Sequence, residues 1–348
     1  MSADDPRPVW PSPESSSPPT VPRPHSRVAH MVGGLSAVLA ISFAAWATLL
    51  PGRSSKSAGR DPGELGVARA RETSSLPEKQ GETRTLPVVR EGVPGEILAW
   101  AEVLEIRPDP KVVTDASLRA AIEAEGLPWR VRDQLARIEL LLVPPGSYRR
   151  GASPGGADSY EDELPAHTVR ISKAFYLGRY EVMQSEWRRV EDGVDAPWAL
   201  GPPQRNISHD DIVEWLAMTP GLRLPTEGEW EYACRAGSLG PRYGVLDEIA
   251  VCKRSSVAIV GTKRANSLGL HDMLGNVAEL CSDWYGLYDS LPSVVIDPQG
   301  PTSGSRRVTR GGSYWGVDWF WTASRRLDAR EPDKRSDHVG FRVARTPY

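Results

Sequence analysis

Metal and nucleophile chemistry needs soft or borderline donors, and this chain has few. They are Cys234, Cys252 and Cys281, with His25, His30, His167, His209, His271 and His338. Three cysteines allow at most one disulfide bridge, and their spacing matches no zinc motif. No two histidines stand in a His-x-x-x-His pair, and His167, within Pro165-Ala166-His167-Thr168-Val169, reads as a strand-edge residue. A Gly-x-Ser-x-Gly elbow, a phosphate-binding Gly-Lys-Ser/Thr loop and a Gly-x-Gly-x-x-Gly turn are all missing. Ser313 follows Gly311-Gly312, where a hydroxyl commonly satisfies the turn itself. Behind it run Trp315, Trp319, Phe320 and Trp321. Such a cluster packs a core or, partly exposed, offers an aromatic patch to a sugar or peptide.

The elements that must position these residues occupy the C-terminal part of 348 residues. Residues 1–27 are rich in Pro and Ser and cannot bury enough surface to fold. Residues 28–50 carry no charged side chain, long enough for the roughly 20 residues that cross a bilayer. They read as an uncleaved transmembrane signal anchor, with a cleavable signal peptide and a buried helix as alternatives. Basic residues flank both sides, so charge does not set the orientation. Residues 51–90 read as a linker and 91–133 as an accessory helical segment. A domain follows over 134–348. Twelve Trp against four Phe suit an irregular core in which each indole N–H finds a partner. The apolar run Ile138–Val143, stopped by Pro144-Pro145-Gly146, predicts a buried strand, with short strands at Val169–Ile171 and Phe175–Tyr180. Ser208 predicts a helix cap ahead of Ile212, Trp215 and Leu216. Thr226 with Glu229 is a capping box, and Gly237 closes that helix. The expected class is α+β and loop-rich. A net charge of −3 without a basic stripe argues against nucleic acid as a partner.

Eight segments in order carry a resemblance. They are Leu142–Gly146, Glu163–Val169, Tyr176–Val182, Leu222–Glu227, Trp230–Gly237, Gly269–Val277, Arg310–Tyr314 and Gly340–Val343. Together they resemble the formylglycine-generating-enzyme, or sulfatase-modifying-factor, family, whose fold is an irregular α+β relative of the C-type lectin fold. The resemblance implies calcium in the Asp272–Glu279 loop, through the side chains of Asp272 and Glu279 and the carbonyls of Gly275 and Val277. Hard oxygens and a Gly turn suit that ion. The alternative is that Asp272 caps a turn while Glu279 pairs with an arginine. Family members that make formylglycine hold copper(I) on two cysteines, two and seven residues after the Tyr of Gly-Gly-Ser-Tyr. Those positions here are Gly316 and Trp321. Neither supplies the thiolate copper(I) needs, so copper is not expected. The family's Trp ahead of the loop glutamate is also replaced, by Ala278.

The reading that follows is a membrane-anchored, extracytoplasmic, calcium-stabilised domain that has lost the copper chemistry. It acts by binding a protein, peptide or glycan, with Trp315, Trp319 and Trp321 as candidate ligand contacts and Ser313 as the remnant catalytic position. Two alternatives stand beside it. One is an oxygen-dependent oxidase with other metal ligands, and the other a structural envelope component.

Overall fold

The computed structural model describes residues 98–153, 160–194, 197–288, 292 and 294–347. The apolar run after Ile138 becomes β3 (Glu139–Val143), buried at every position, as a strand covered on both faces must be. With it, β1 (Ala101–Glu105), β2 (Arg130–Asp133), β6 (Phe175–Gly178), β7 (Leu222–Arg223) and β13 (Ala344–Arg345) form a six-stranded sheet in the order β1-β2-β3-β6-β13-β7. β13 enters between β6 and β7, so the end of the chain completes the centre of the sheet. A second sheet orders β11 (Arg326–Arg330), β10 (Arg307–Arg310), β8 (Ala278–Trp284) and β12 (Val339–Gly340). A third orders β4 (Gly146–Arg150), β5 (His167–Ile171) and β9 (Val294–Ile296).

The helices start where their caps predict. Asp115 caps α1 (Ala116–Ala124), accepting the Leu118 N–H at 2.8 Å. Ser208 and Asp211 close a reciprocal box at the head of α3 (His209–Ala217). Thr226 and Glu229 do the same for α4 (Glu227–Arg235), which ends on Ala236 at φ +44 and Gly237 at φ +87. The helix α2 (Gln184–Asp192) was not foreseen, because Gln-Ser-Glu-Trp-Arg-Arg-Val-Glu-Asp shows too few apolar residues for a stripe. Trp187 is its main apolar anchor, with Val190 packed beside the core. The Trp187 ring stacks on Trp215 of α3 at 5.5 Å and 9°, and both meet Phe341 edge-on.

The expected accessory role of residues 91–133 is corrected by the described part of that segment. β1 and β2 extend the main sheet, and Val113, Leu118, Ile122 and Val131 are 0–1% exposed in its core. Short alternating strands flanked by charge had hidden this pairing. The expected anchor at 28–50 lies outside the described residues. Among the described residues no helix is long and apolar enough to cross a membrane. The mixed α/β, strand-rich class is as expected.

Candidate functional site

At the two positions where the resemblance places copper thiolates, the chain has built a core. Trp321 is 0% exposed, and its indole N–H donates to the Ser313 carbonyl at 2.7 Å. Gly316 sits at φ +150, and a Cβ there would come within 2.6 Å of Phe320 Cδ2. A Cβ on Gly312 would meet Trp321 Cδ1 at 2.7 Å. Cys234, Cys252 and Cys281 are free and buried elsewhere. Burial pushes the Cys234 thiol up to about 12 and the Cys281 thiol well above its ordinary value, so neither offers a thiolate. The donors present do not fit copper(I). Ser313 is spent on its own turn, its Oγ donating to the Trp315 carbonyl at 2.9 Å and accepting the Trp315 N–H at 3.3 Å.

The aromatic cluster divides. Trp315 and Trp319 are 63% and 43% exposed, whereas Trp321 is enclosed. Trp321 is therefore removed from the expected set of ligand contacts, because its ring holds the loop from inside.

In the Asp272–Glu279 loop, Gly275 at φ +86 lies so close to Val251 that a Cβ would meet the Val251 carbonyl oxygen at 2.5 Å. Glu181 pins the loop from β6's far end: Oε1 accepts the Val277 N–H at 2.9 Å and Oε2 an Asn276 Nδ2–H at 2.6 Å. Glu279 takes the arginine alternative. Arg342 donates from Nε to Oε2 and from Nη2 to Oε1, each at 2.6 Å, and Trp230 Nε1 donates to Oε2 at 2.6 Å. Asp272 is 0% exposed; Oδ2 accepts the Gly261 N–H at 2.6 Å, and Oδ1 has no partner. Burial raises Glu181, and repulsion from Asp272 and Glu279 raises it further. Glu181, Asp272 and Glu279 are enclosed together, with the Arg342 guanidinium and the Lys263 ammonium as opposing charges, and a divalent cation beside Asp272 Oδ1 would let all three carboxylates ionise. Calcium takes oxygen donors of this kind. Among the described residues no group of three or more His, Cys, Asp or Glu side chains forms a metal cage. The ligand set implied by the resemblance has only two side chains.

Beneath the site, Glu227 at the first turn of α4 accepts Arg326 Nε at 2.7 Å and Arg150 Nη2 at 2.5 Å. Arg310 lies 3.7 Å away and also reaches Glu231. Burial works to raise Glu227, but Arg326, Arg150 and Arg310 overcome it and hold the carboxyl at about 2. This network fixes β4, β10 and β11 around one helix end, and with them the floor of a cleft. The cleft is a cavity of about 80 Å³ under Trp315, with Ala278, Ser313, Arg330 and His338 among its walls. Sequence reading missed Arg330 and His338. They come from separate stretches without a motif, and only the β11-β10-β8-β12 order brings them to Ser313.

The sulfatase-modifying factor enzyme 1-like domain family matches residues 127–347. The formylglycine-generating enzyme of Streptomyces coelicolor is 31% identical over 324 residues, covering 83% of this chain and 94% of that protein. The formylglycine-generating enzyme of Mus musculus is 33% identical over 286 residues, 60% of this chain and 76% of that one. Among solved structures, PvdO from Pseudomonas aeruginosa is similar at a TM-score of 0.55 and 25% identity, over 62% of this chain and 97% of that one.

Proposed function

Because the chain belongs to the sulfatase-modifying factor enzyme 1-like domain family, we propose that it keeps the family scaffold for binding and has given up copper-dependent oxidation. One observation carries the reading. Where two thiolates would stand, Gly316 faces Phe320 and Trp321 is a buried post bonded to Ser313. Copper(I) held by two cysteines needs soft sulfur that this loop lacks. What remains is a rigid cleft with an aromatic lip. Trp315 lines it with an exposed ring, the exposed Trp319 packs edge-on against its wall residue Phe320, and Ala278, where the resemblance expects a tryptophan, lines the same cavity.

Calcium belongs to this proposal as a structural ion. Asp272 through Oδ1 and Glu279 through a remaining lone pair would hold it, with the carbonyls of Gly275 and Val277. When bound it supplies charge balance to the buried carboxylates and no redox chemistry. The membrane anchor at residues 28–50 and an extracytoplasmic domain complete the reading, supported by the uncharged apolar run and by calcium supply outside the cytoplasm. A periplasmic- or lumen-active reporter fused after Tyr348 tests the side; an inactive fusion reverses it.

The activity test is direct. Full-length protein with copper(I), oxygen and a cysteine-containing peptide is expected to consume no oxygen and leave the cysteine unchanged. Turnover would sink the binding reading. Stoichiometric copper or iron on the purified protein would point instead to an oxidase with other ligands.

A further inference from the structure

We propose that the cleft beneath Trp315 recognises a carboxylate group on its ligand, with Arg330 and His338 as the reading residues; this rests on the binding role proposed above and names its chemistry.

Two of the polar side chains that line the cleft carry a buried nitrogen left without a partner. Arg330 Nε and His338 Nδ1 are buried atoms without a hydrogen-bond partner, and both residues line the same cavity. Among the described residues no Asp or Glu lines it. Among the described residues Arg330 makes no salt bridge, although most buried guanidinium groups of this fold meet a carboxylate, as Arg310 and Arg342 do. Its partner across the β10–β11 ladder, Arg307, is engaged elsewhere, donating to the Ser282 carbonyl at 2.6 Å and lying over the Trp284 ring, so it brings no counter-charge to Arg330. The hydroxyl of Ser313 is already engaged in its turn, so Arg330 and His338 remain the groups that answer an incoming acceptor.

Size and wall chemistry select the anion. A cavity of about 80 Å³ has room for a few water-sized groups. That admits a carboxylate with a short stem. The other walls include Ala278, Leu327, Val339 and Phe320, which favour an apolar stem over a fully hydrated phosphate. A planar guanidinium matches a carboxylate through two parallel N–H bonds. The His338 ring is fixed by its neighbours, 4.9 Å from Tyr314 and 5.9 Å from Trp315, and a carboxylate at Nδ1 selects the tautomer with the proton there. The exposed Trp315 face then covers the chain that carries the group. The carboxylate comes either from a peptide's C-terminus or from an acidic side chain.

The test is isothermal titration of the full chain with four probes. These are N-acetyl-trialanine with a free carboxyl end, its C-terminal amide, the amide of N-acetyl-Ala-Glu-Ala, and inorganic phosphate. At least one carboxylate probe is expected to bind ten-fold or more tightly than the neutral amide. A free-end winner identifies a chain terminus, and a Glu winner a side chain. Arg330→Met and Ala278→Trp are each expected to weaken that probe at least ten-fold, while Arg330→Lys keeps charge without the fork and weakens it less. Equal binding of the neutral amide, tighter binding of phosphate, no binding of either carboxylate probe, or unchanged affinity in Arg330→Met overturns the assignment. If Arg330→Met does not fold, unchanged affinity in both Arg330→Lys and Ala278→Trp overturns it equally. Oxygen uptake on the cysteine peptide separates the two failures, since it tests the loss of oxidation and is blind to carboxylate binding.

Discussion

The indole N–H of Trp321 donates to the backbone carbonyl of Ser313 at 2.7 Å, tying the two ends of the loop that follows the Gly311-Gly312 turn. An indole that is 0% exposed makes this bond inside the core, where an unmade one is costly. The position that would carry a copper ligand has thus become part of the loop's support.

Restoring one cysteine is therefore expected to damage the protein rather than its activity alone. Trp321→Cys removes the bond to Ser313 and opens a cavity against Gly312. Truncating a buried Trp costs about 3–5 kcal/mol in general. A urea melt should show a loss of that order, and oxygen uptake on the cysteine peptide should stay at background, because Gly316 still supplies no second thiolate. A variant as stable as the wild type would mean that Trp321 is not a structural post.

Calcium should stabilise the folded chain through Asp272. An ion binding only the native state adds RT ln(1 + [L]/Kd), about 2.7 kcal/mol when calcium is at 100 times Kd. The expected result is a rise in thermal midpoint on adding calcium, reversed by chelator, in the wild type. Asp272→Ala should show little or no rise, since its Oδ1 is the unpartnered buried oxygen. A wild-type midpoint indifferent to calcium and chelator would remove the ion from the fold.

Much of this architecture could be read from local patterns. The apolar run into β3 and the capping residues Ser208 and Thr226 act within a few positions of themselves, so they were legible. The helix α2 was not, because its stability comes from Trp187 on Trp215, a contact made across two helices. The Glu279 pairing was legible only as one of two options. Its partner Arg342 stands 63 residues away and reaches it through the parallel β8–β12 pairing next door. The cleft was the least legible part, since Arg330, His338 and Ala278 meet only after the four strands β11, β10, β8 and β12 have assembled.

Glu227 should behave as the anion on which three cations depend. Glu227→Gln leaves Arg150, Arg310 and Arg326 facing a neutral amide in a closed interior. Breaking a buried pair by removing one partner costs about 3–5 kcal/mol. The same group predicts acid sensitivity. Its carboxyl is held at about 2 against an ordinary 4.5, so its contribution is complete above pH 4.5 and is lost as pH falls toward 2. The shift corresponds to about 3 kcal/mol at 1.36 kcal/mol per pH unit. Urea melts between pH 5 and pH 2 should follow that fall in the wild type and a shallower one in the Gln variant.

Asp283 should act in the opposite sense. It is 1% exposed; Oδ2 accepts the Glu227 N–H at 2.8 Å, and Oδ1 has no partner. Burial pushes its carboxyl up to about 6, and the nearby Glu227 charge adds to the rise. The folded state therefore holds this proton more tightly than the unfolded chain, whose ordinary value is 3.8. Stability from this group is present below pH 3.8 and lost as pH rises through about 6, on the order of 3 kcal/mol across the window. Asp283→Asn keeps an acceptor oxygen for the Glu227 N–H and carries no charge to bury. The variant is expected to be more stable than the wild type at pH 7 to 8, with a flatter profile between pH 4 and 6 in paired urea melts. A variant less stable at pH 8 would show that the attraction of Arg150 and Arg307 for the ionised Asp283 outweighs the cost of burying its charge.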